Sequence, residues 1–172
     1  MLTRLDRNAF NEVYGIMDDS FPEDEYRPFE GQEALLDREE YRIYGNTAGS
    51  ELAGFISVWE FEDFAYIEHF AVDKRFRNGG RGKDMLQELL SSIDKPFVLE
   101  VEPPESEITE RRIGFYQRNG FVFNEYDYVQ QPMWEGRNPV PLKIMSYPEG
   151  LSEKEFRKVR DTIYRKVFGV EI

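Results

Sequence analysis

One stretch, from Tyr66 to Leu90, constrains this chain more than any other. It opens with Tyr66-Ile67-Glu68-His69-Phe70-Ala71-Val72, which reads as a strand. It closes with Lys83-Asp84-Met85-Leu86-Gln87-Glu88-Leu89-Leu90, whose apolar residues recur at helical spacing. Between them runs Asp73-Lys74-Arg75-Phe76-Arg77-Asn78-Gly79-Gly80-Arg81-Gly82, basic and rich in glycine. A strand, a glycine turn and a new helix form an arrangement for holding an anion. Glycines let backbone N–H groups approach a ligand with no Cβ in the way. The helix start adds its unpaired N–H groups and the positive end of its dipole. Arg77, Arg81 and Lys83 supply full positive charge in a chain whose net charge is -12.

The spacing decides among the loops that use such a turn. A Walker A loop needs glycine where Arg77 stands, and a magnesium-binding hydroxyl where Asp84 stands. A dinucleotide fingerprint needs a third glycine at the position of Met85. The pattern that fits is Arg-x-x-Gly-x-Gly, on Arg77, Gly80 and Gly82. It resembles the coenzyme A loop of the GCN5-related N-acetyltransferase (GNAT) superfamily. A second block supports this: Phe115-Tyr116 followed by Gly120-Phe121 is similar to the superfamily's aromatic–tyrosine pair ahead of Gly-Phe on the next strand. The resemblance covers Leu52 to Val129.

The rest of the chain frames these motifs. Its 172 residues suit one domain, 1–172, with an adequate core. An apolar fraction of 40% marks a globular protein. The acidic balance argues against nonspecific nucleic-acid binding, which needs clustered cations. It weakly favours a cationic partner, although a surface kept acidic for solubility is the simpler reading. There is no cysteine, so no disulfide and no thiol nucleophile or thiolate metal site. The first residues carry no apolar signal core, and the stretch Leu52–Trp59 is too short to span a bilayer. A soluble cytoplasmic protein, with no membrane partner, is the expectation.

Taken in order, Asp6 reads as an N-cap, with Phe10, Val13, Tyr14 and Met17 following at helical spacing. Pro22 to Phe29 reads as an acidic loop, and a short helix is expected near Gln32 to Arg38. Tyr41–Asn46 and Leu52–Phe61 read as a hairpin about Ala48-Gly49-Ser50. Phe97–Glu102 is a strand that Pro103-Pro104 ends. Glu107–Arg118 is a second amphipathic helix, with Asn119-Gly120 as its stop. Strands at Phe121–Val129 and Val140–Tyr147 come next, separated by a proline-rich loop. A last helix opens at Ser152, with Phe156, Val159, Ile163 and Val167 on one face. The order is that of a mixed α/β (α+β) domain. The resemblance implies a mostly antiparallel, twisted sheet of six to seven strands flanked by helices, with its central strand pair splayed.

The resemblance also implies roles. The pyrophosphate of acetyl-CoA, the co-substrate, would lie on Arg77, Asn78, Gly79, Gly80, Arg81, Gly82 and Lys83. The pantetheine arm carries amides and would pair with the main chain of Phe70, Ala71 and Val72 as an added strand does. Those contacts leave the side chains of Phe70 and Val72 free to serve the core. Tyr116 is the superfamily's position for the acid that protonates the departing thiolate, and it also touches the cofactor. A phenol of pKa near 10 can donate to a thiolate of pKa about 8.5. The acceptor amine must lose its proton, and two glutamates can take it. Glu100, in Leu99-Glu100-Val101, resembles the Leu-Glu-Val of ribosomal-protein N-terminal acetyltransferases. Strand alternation puts it on one face with Val98 and Glu102, open to the cleft between the central strands. That pattern's usual Arg and Asn are here Glu102-Pro103-Pro104, a departure that bears on peptide substrates. Glu68 is the second candidate. His69, the only histidine, is expected on the face opposite Glu68 and satisfied in the core. No residue cluster suggests a metal.

Two functions are consistent with these residues. The first is an acetyl-CoA-dependent N-acetyltransferase acting on a primary amine of a small molecule or peptide. The second is an acyl-CoA-binding regulatory domain without turnover. Tyr116 and the complete loop favour the first. The resemblance places the substrate walls at Ser20–Leu36 and Gln130–Val140, and it leaves a homodimer open.

Overall fold

A computed structural model describes all 172 residues, Met1–Ile172. The seven strands are mostly antiparallel and, with five α-helices, make a mixed α/β architecture. The chain divides into two compact units, Met1–Phe97 and Val98–Ile172.

In the first unit four strands lie in sequence order: β1 (Thr3–Arg4), β2 (Tyr41–Ala48), β3 (Glu51–Glu60) and β4 (Ala65–Val72), each antiparallel to the next. The β2–β3 hairpin turns at Gly49, and β3 is buried from Leu52 to Trp59. That run explains why it reads as continuous and apolar rather than alternating: neither face meets water. Helix α1 (Phe10–Ser20) buries Phe10, Val13, Ile16 and Met17. Asp6 does cap, but it caps a single 3-10 turn, Arg7–Ala9, ahead of the helix. The short helix expected near Gln32 to Arg38 begins earlier, as α2 (Phe29–Ala34) followed by a 3-10 turn at Leu35–Asp37. Helix α3 (Arg81–Ser92) buries Met85, Leu86, Leu89 and Leu90. Gly54 on β3 allows this close seat, because a Cβ there would lie 2.9 Å from the Ala71 carbonyl oxygen and 3.1 Å from the Met85 sulfur.

In the second unit β7 (Val140–Tyr147) lies between β5 (Phe97–Val101, which starts at the unit boundary) and β6 (Val122–Gln130). Helix α4 (Glu107–Arg118) has the predicted bounds. Ser106 and Thr109 cap it reciprocally, the Ser106 hydroxyl accepting from the Thr109 N–H and the Thr109 hydroxyl from the Ser106 N–H. Helix α5 (Glu153–Lys166) starts with the same device, on Ser152 and Glu155, and buries Phe156, Val159 and Ile163. Val167 falls at its C-cap instead of on its buried face. No helix is long and apolar enough to cross a membrane.

The ladder between β3 and β4 carries one irregularity. Ser57 faces His69 but Val58 faces Ile67, so Glu68 is an extra residue, a β-bulge. The bulge breaks the two-residue alternation of side chains. The expectation that Glu68 and His69 point to opposite faces is therefore corrected. His69 is 2% exposed, the Glu68 side chain is fully buried, and His69 Nδ1 lies 3.8 Å from Glu68 Oε1.

Candidate active site

In the first unit, β4 runs directly into the glycine turn. A single 3-10 turn, Lys74–Phe76, is capped by Asp73, whose carboxylate accepts from the Arg75 N–H. The chain then extends through Arg77 and takes left-handed geometry at Asn78 (φ 71°) and Gly80 (φ 75°). Asparagine and glycine are the residues that adopt this conformation at least cost. Gly80 is the N-cap of α3, and the first backbone bond across the helix start runs from the Asp84 N–H to the Gly80 carbonyl. The N–H groups of Arg81, Gly82 and Lys83 thus fall in the turn that has no intrahelical acceptor. A Cβ placed on Gly79 or Gly80 would meet nothing within 4 Å, so the loop presents its main chain to open space. These features fit an anion the size of a pyrophosphate.

Two of the loop's three cations, Arg77 and Arg81, are tied to the protein itself. Arg77 turns back on the strand, its Nε donating to the Val72 carbonyl at 2.9 Å. The Arg81 guanidinium hydrogen-bonds the Asn46 side-chain oxygen and sits 5.7 Å over the Phe76 ring. Both arginines brace the loop, which leaves its main-chain N–H groups and Lys83 as the candidates to hold an anion. Phe70, Ala71 and Val72 lie on β4 in register with Ile56, Phe55 and Gly54. Phe70 and Val72 are half-buried and Ala71 is buried.

Glu68 sits in a network that the sequence did not announce. Arg27 grips it with two bonds, 3.1 Å to Oε1 and 3.0 Å to Oε2, and Trp59 Nε1 donates to Oε1 at 3.3 Å. Arg27 Nη1 also donates to Gln32 Oε1, whose amide donates to the Tyr41 hydroxyl at 3.2 Å. Burial alone would push the Glu68 carboxyl up, but the Arg27 guanidinium and the hydrogen bonds from Arg27 and Trp59 outweigh it and hold the group below its usual range. His69 donates from Nε2 to the Glu25 carbonyl at 2.7 Å, since a carbonyl can only accept. Its Nδ1 is then a bare, buried lone pair without a hydrogen bond. Burial lowers the pKa of His69, opposed by Glu68 and the Glu25 carbonyl, so the ring is neutral. Only Glu68 and His69 of this network stood out in the sequence. Arg27 and Glu25 lie in a segment read as an acidic loop, and Arg27 is 41 residues from its partner.

In the second unit, Tyr116 is buried beside Phe115 and Phe121, with ring centroids at 5.2 and 5.7 Å. The end of α4 explains why Gly-Phe comes after it. The Phe121 N–H bonds to the Tyr116 carbonyl and the Gly120 N–H to the Gln117 carbonyl, the paired closure of a Schellman motif. That motif needs a left-handed residue, and Gly120 has φ 94°. It also brings Phe121 onto Tyr116, as its hydrophobic contact. Burial pushes the Tyr116 phenol up to about 12, with Arg112 opposing, so the hydroxyl is protonated at any working pH and able to donate. Glu100 is half-buried on β5 between the buried Leu99 and Val101, and Glu102 beyond the strand accepts from Arg112 at 3.3 Å.

Comparisons with known proteins agree in kind. The profile of the acetyltransferase (GNAT) family matches residues 9–121. A solved structure from Bacteroides thetaiotaomicron, assigned to the acetyltransferases of the GNAT family, is 35% identical and covers 99% of both chains with a TM-score of 0.91. Ard1 from Thermoplasma volcanium is 25% identical over 85% of this chain and 95% of its own, with a TM-score of 0.63. The ribosomal-protein-S18-alanine N-acetyltransferase of Escherichia coli, 20% identical over 90% of this chain and 96% of its own, shares the fold at a TM-score of 0.66. No curated protein matches the sequence.

Proposed function

Because this chain belongs to the GNAT acetyltransferase family, we propose that it moves an acetyl group from acetyl-CoA to a primary amine of a small molecule or peptide by direct attack. The observation that carries the reading is the loop between β4 and α3. Left-handed Asn78 and Gly80 turn main-chain N–H groups and a helix start toward open space, which suits the pyrophosphate of a coenzyme A thioester.

Direct transfer forms a carbon–nitrogen bond as the carbon–sulfur bond breaks, and one proton must leave the amine while one reaches the sulfur. The main chain at the β4 bulge can supply the donor for the thioester oxygen, because a bulge takes a residue out of the ladder. Tyr116 holds the proton for the thiolate. Its raised pKa keeps it in the donating form, and Gly120-Phe121 fix its position. For the amine's proton, Glu100 is the better assignment. Glu68 has the wrong surroundings: both its oxygens are bonded to Arg27, and its side chain has no exposure, whereas a base must reach the proton it takes. The ribosomal-protein alanine named for the Escherichia coli enzyme that shares the fold is an amine acceptor too, in keeping with this reading.

The competing function is acyl-CoA binding without turnover. Acetyl-CoA with a panel of small and peptide amines separates the two. Release of free coenzyme A that depends on an amine is the expected result, and tight binding with no release across the panel selects the silent domain. In the same assay Glu100→Gln should lose rate at neutral pH and recover as pH rises and the free amine becomes neutral. Should Glu68→Gln show that profile instead, the base assignment is reversed.

A further inference from the structure

The geometry points to Arg27 as a positioning residue for acetyl transfer: through Glu68 it holds the β4 bulge in the form that offers the strand's main chain to the thioester. This rests on the proposed acetyltransferase function. Its starting point is an asymmetry at Glu68. The side chain is fully buried, yet the residue as a whole is part-exposed, so what faces solvent there is main chain. A bulge opens such a peptide, but an extra residue in a ladder has no intrinsic reason to stay at one position. Strand register is set by which side chains must be buried, and at Glu68 the buried side chain is also gripped.

At Glu68 the grip comes from two directions. Arg27 binds both carboxylate oxygens, and Trp59 on β3 binds one of them. The next residue is gripped as well. The His69 N–H donates to the Ser57 hydroxyl at 2.9 Å, and its ring donates to the Glu25 carbonyl. Pro22–Phe29 therefore holds both residues of the bulge, one by a guanidinium and one by a carbonyl. Arg27 is itself fixed: its N–H donates to Gln32 Oε1, and its carbonyl accepts from the Tyr14 hydroxyl at 3.0 Å. A buried ion pair is a weak source of stability, since apolar residues of similar size often do as well. It is a good source of position, because two charge-assisted bonds fix both distance and orientation. The glycine loop has separate anchors, Arg77 to the Val72 carbonyl and Asp84 to the Gly80 carbonyl, so binding of coenzyme A should not need Arg27.

The test replaces the pair by apolar residues and, in a second variant, changes only its geometry. Arg27→Met/Glu68→Leu should fold with a melting temperature near wild type, bind coenzyme A within about threefold by calorimetry, and lose on the order of tenfold or more in kcat. Arg27→Lys keeps the charge and Glu68 but not the bidentate fork, and should show the same split, with kcat lowered by several-fold. The loss should be uniform with pH, which separates misplacement from loss of a base. Full kcat in a folded double variant overturns the inference. If that variant does not fold, Arg27→Lys decides, and wild-type kcat in it has the same meaning. If wild type itself shows no turnover with any amine, the proposed function has failed, and amide hydrogen exchange judges this inference alone. Faster exchange at Glu68 and His69 in Arg27→Lys supports it, and unchanged exchange overturns it.

Discussion

The loop from Asp73 to Lys83 and the segment from Pro22 to Phe29 both attach to β4, and they are built in opposite ways. The loop offers main-chain N–H groups, set by left-handed geometry at Asn78 and Gly80 within a few residues of one another. The segment offers a side chain and a carbonyl, Arg27 and Glu25, which find Glu68 and His69 across more than forty positions of sequence. A site made of backbone must be written locally, in residues that permit the conformation. A site made of side chains is written in whichever residues the fold brings together. That difference decides what a change costs in each region, and it orders the effects expected from breaking them.

The largest effect should come from leaving a buried charge alone. Arg27→Met without a change at Glu68 strands a carboxylate with no exposure beside a bare imidazole nitrogen. Breaking one half of a buried pair costs about 3–5 kcal/mol. For a chain of this size each kcal/mol lowers the melting temperature by roughly 2–4 °C, so calorimetry should find a drop of roughly ten degrees. The loop offers no counterpart, because Arg77 and Lys83 are exposed and Arg81 is only half-buried, against Asn46 and Phe76. A melting temperature within two or three degrees of wild type would erase the contrast.

Tyr116 tests the second unit, and the effect should fall on rate alone. Tyr116→Phe removes a proton donor and leaves the ring contacts with Phe115 and Phe121 in place. The expected loss in kcat is on the order of a hundredfold, with little change in KM for acetyl-CoA, since a proton donor acts mainly in the transition state. Wild-type turnover would make Tyr116 a core aromatic and no more.

Gly80→Val should show the loop's dependence on backbone. A β-branched residue at φ 75° is strained by on the order of 1–2 kcal/mol, and it pulls N–H groups off the anion. Each charge-assisted hydrogen bond lost is worth about 1.5–3 kcal/mol, so coenzyme A affinity should fall by roughly ten- to a hundredfold. Unchanged affinity in a folded variant would mean the anion is held by side chains after all, and the two regions would no longer differ in kind.

The same difference explains what the sequence could convey. The loop, the hairpin, α4 with its stop at Asn119-Gly120, and α5 with its cap at Ser152 were all legible, because each is decided by residues within a turn or two. So were Tyr116 and the glycine positions as candidates. Two-residue β1 was not legible, since only two of its residues pair with β2. The bulge at Glu68 was not, because alternation is the only rule a strand offers, and an inserted residue is visible only against its partner strand. Arg27 was not, because an arginine among Glu23, Asp24 and Glu25 reads as surface charge. One signal was present: Arg27 is the only cation between Arg7 and Arg38.

The smallest effect separates the regions by pH. The loop from Asp73 to Lys83 contains no histidine, whereas the network holds the chain's single one. His69 is held neutral by burial, so its folded pKa lies below the ordinary 6.5. Above pH 6.5 both folded and unfolded chains have a neutral ring, and the site adds no pH dependence. As pH falls below 6.5, the unfolded chain takes up a proton that the folded chain refuses. Stability therefore declines until pH reaches the lowered folded value. The slope is at most about 1.4 kcal/mol per pH unit for one such group. Three groups set the size of the shift: Glu68 and the Glu25 carbonyl favour the proton, and Arg27 opposes it along with burial. Carboxylates titrate mainly below this window, so the decline between pH 7 and 5.5 should belong chiefly to His69. His69→Gln keeps a donor for the Glu25 carbonyl and cannot titrate. Its urea midpoint should be nearly flat across that range while wild type falls. Parallel curves for the two proteins would mean that the folded ring accepts its proton as readily as the unfolded one. The lone pair at Nδ1 would then be reachable by solvent, and the network that grips the bulge would be looser than its hydrogen bonds imply.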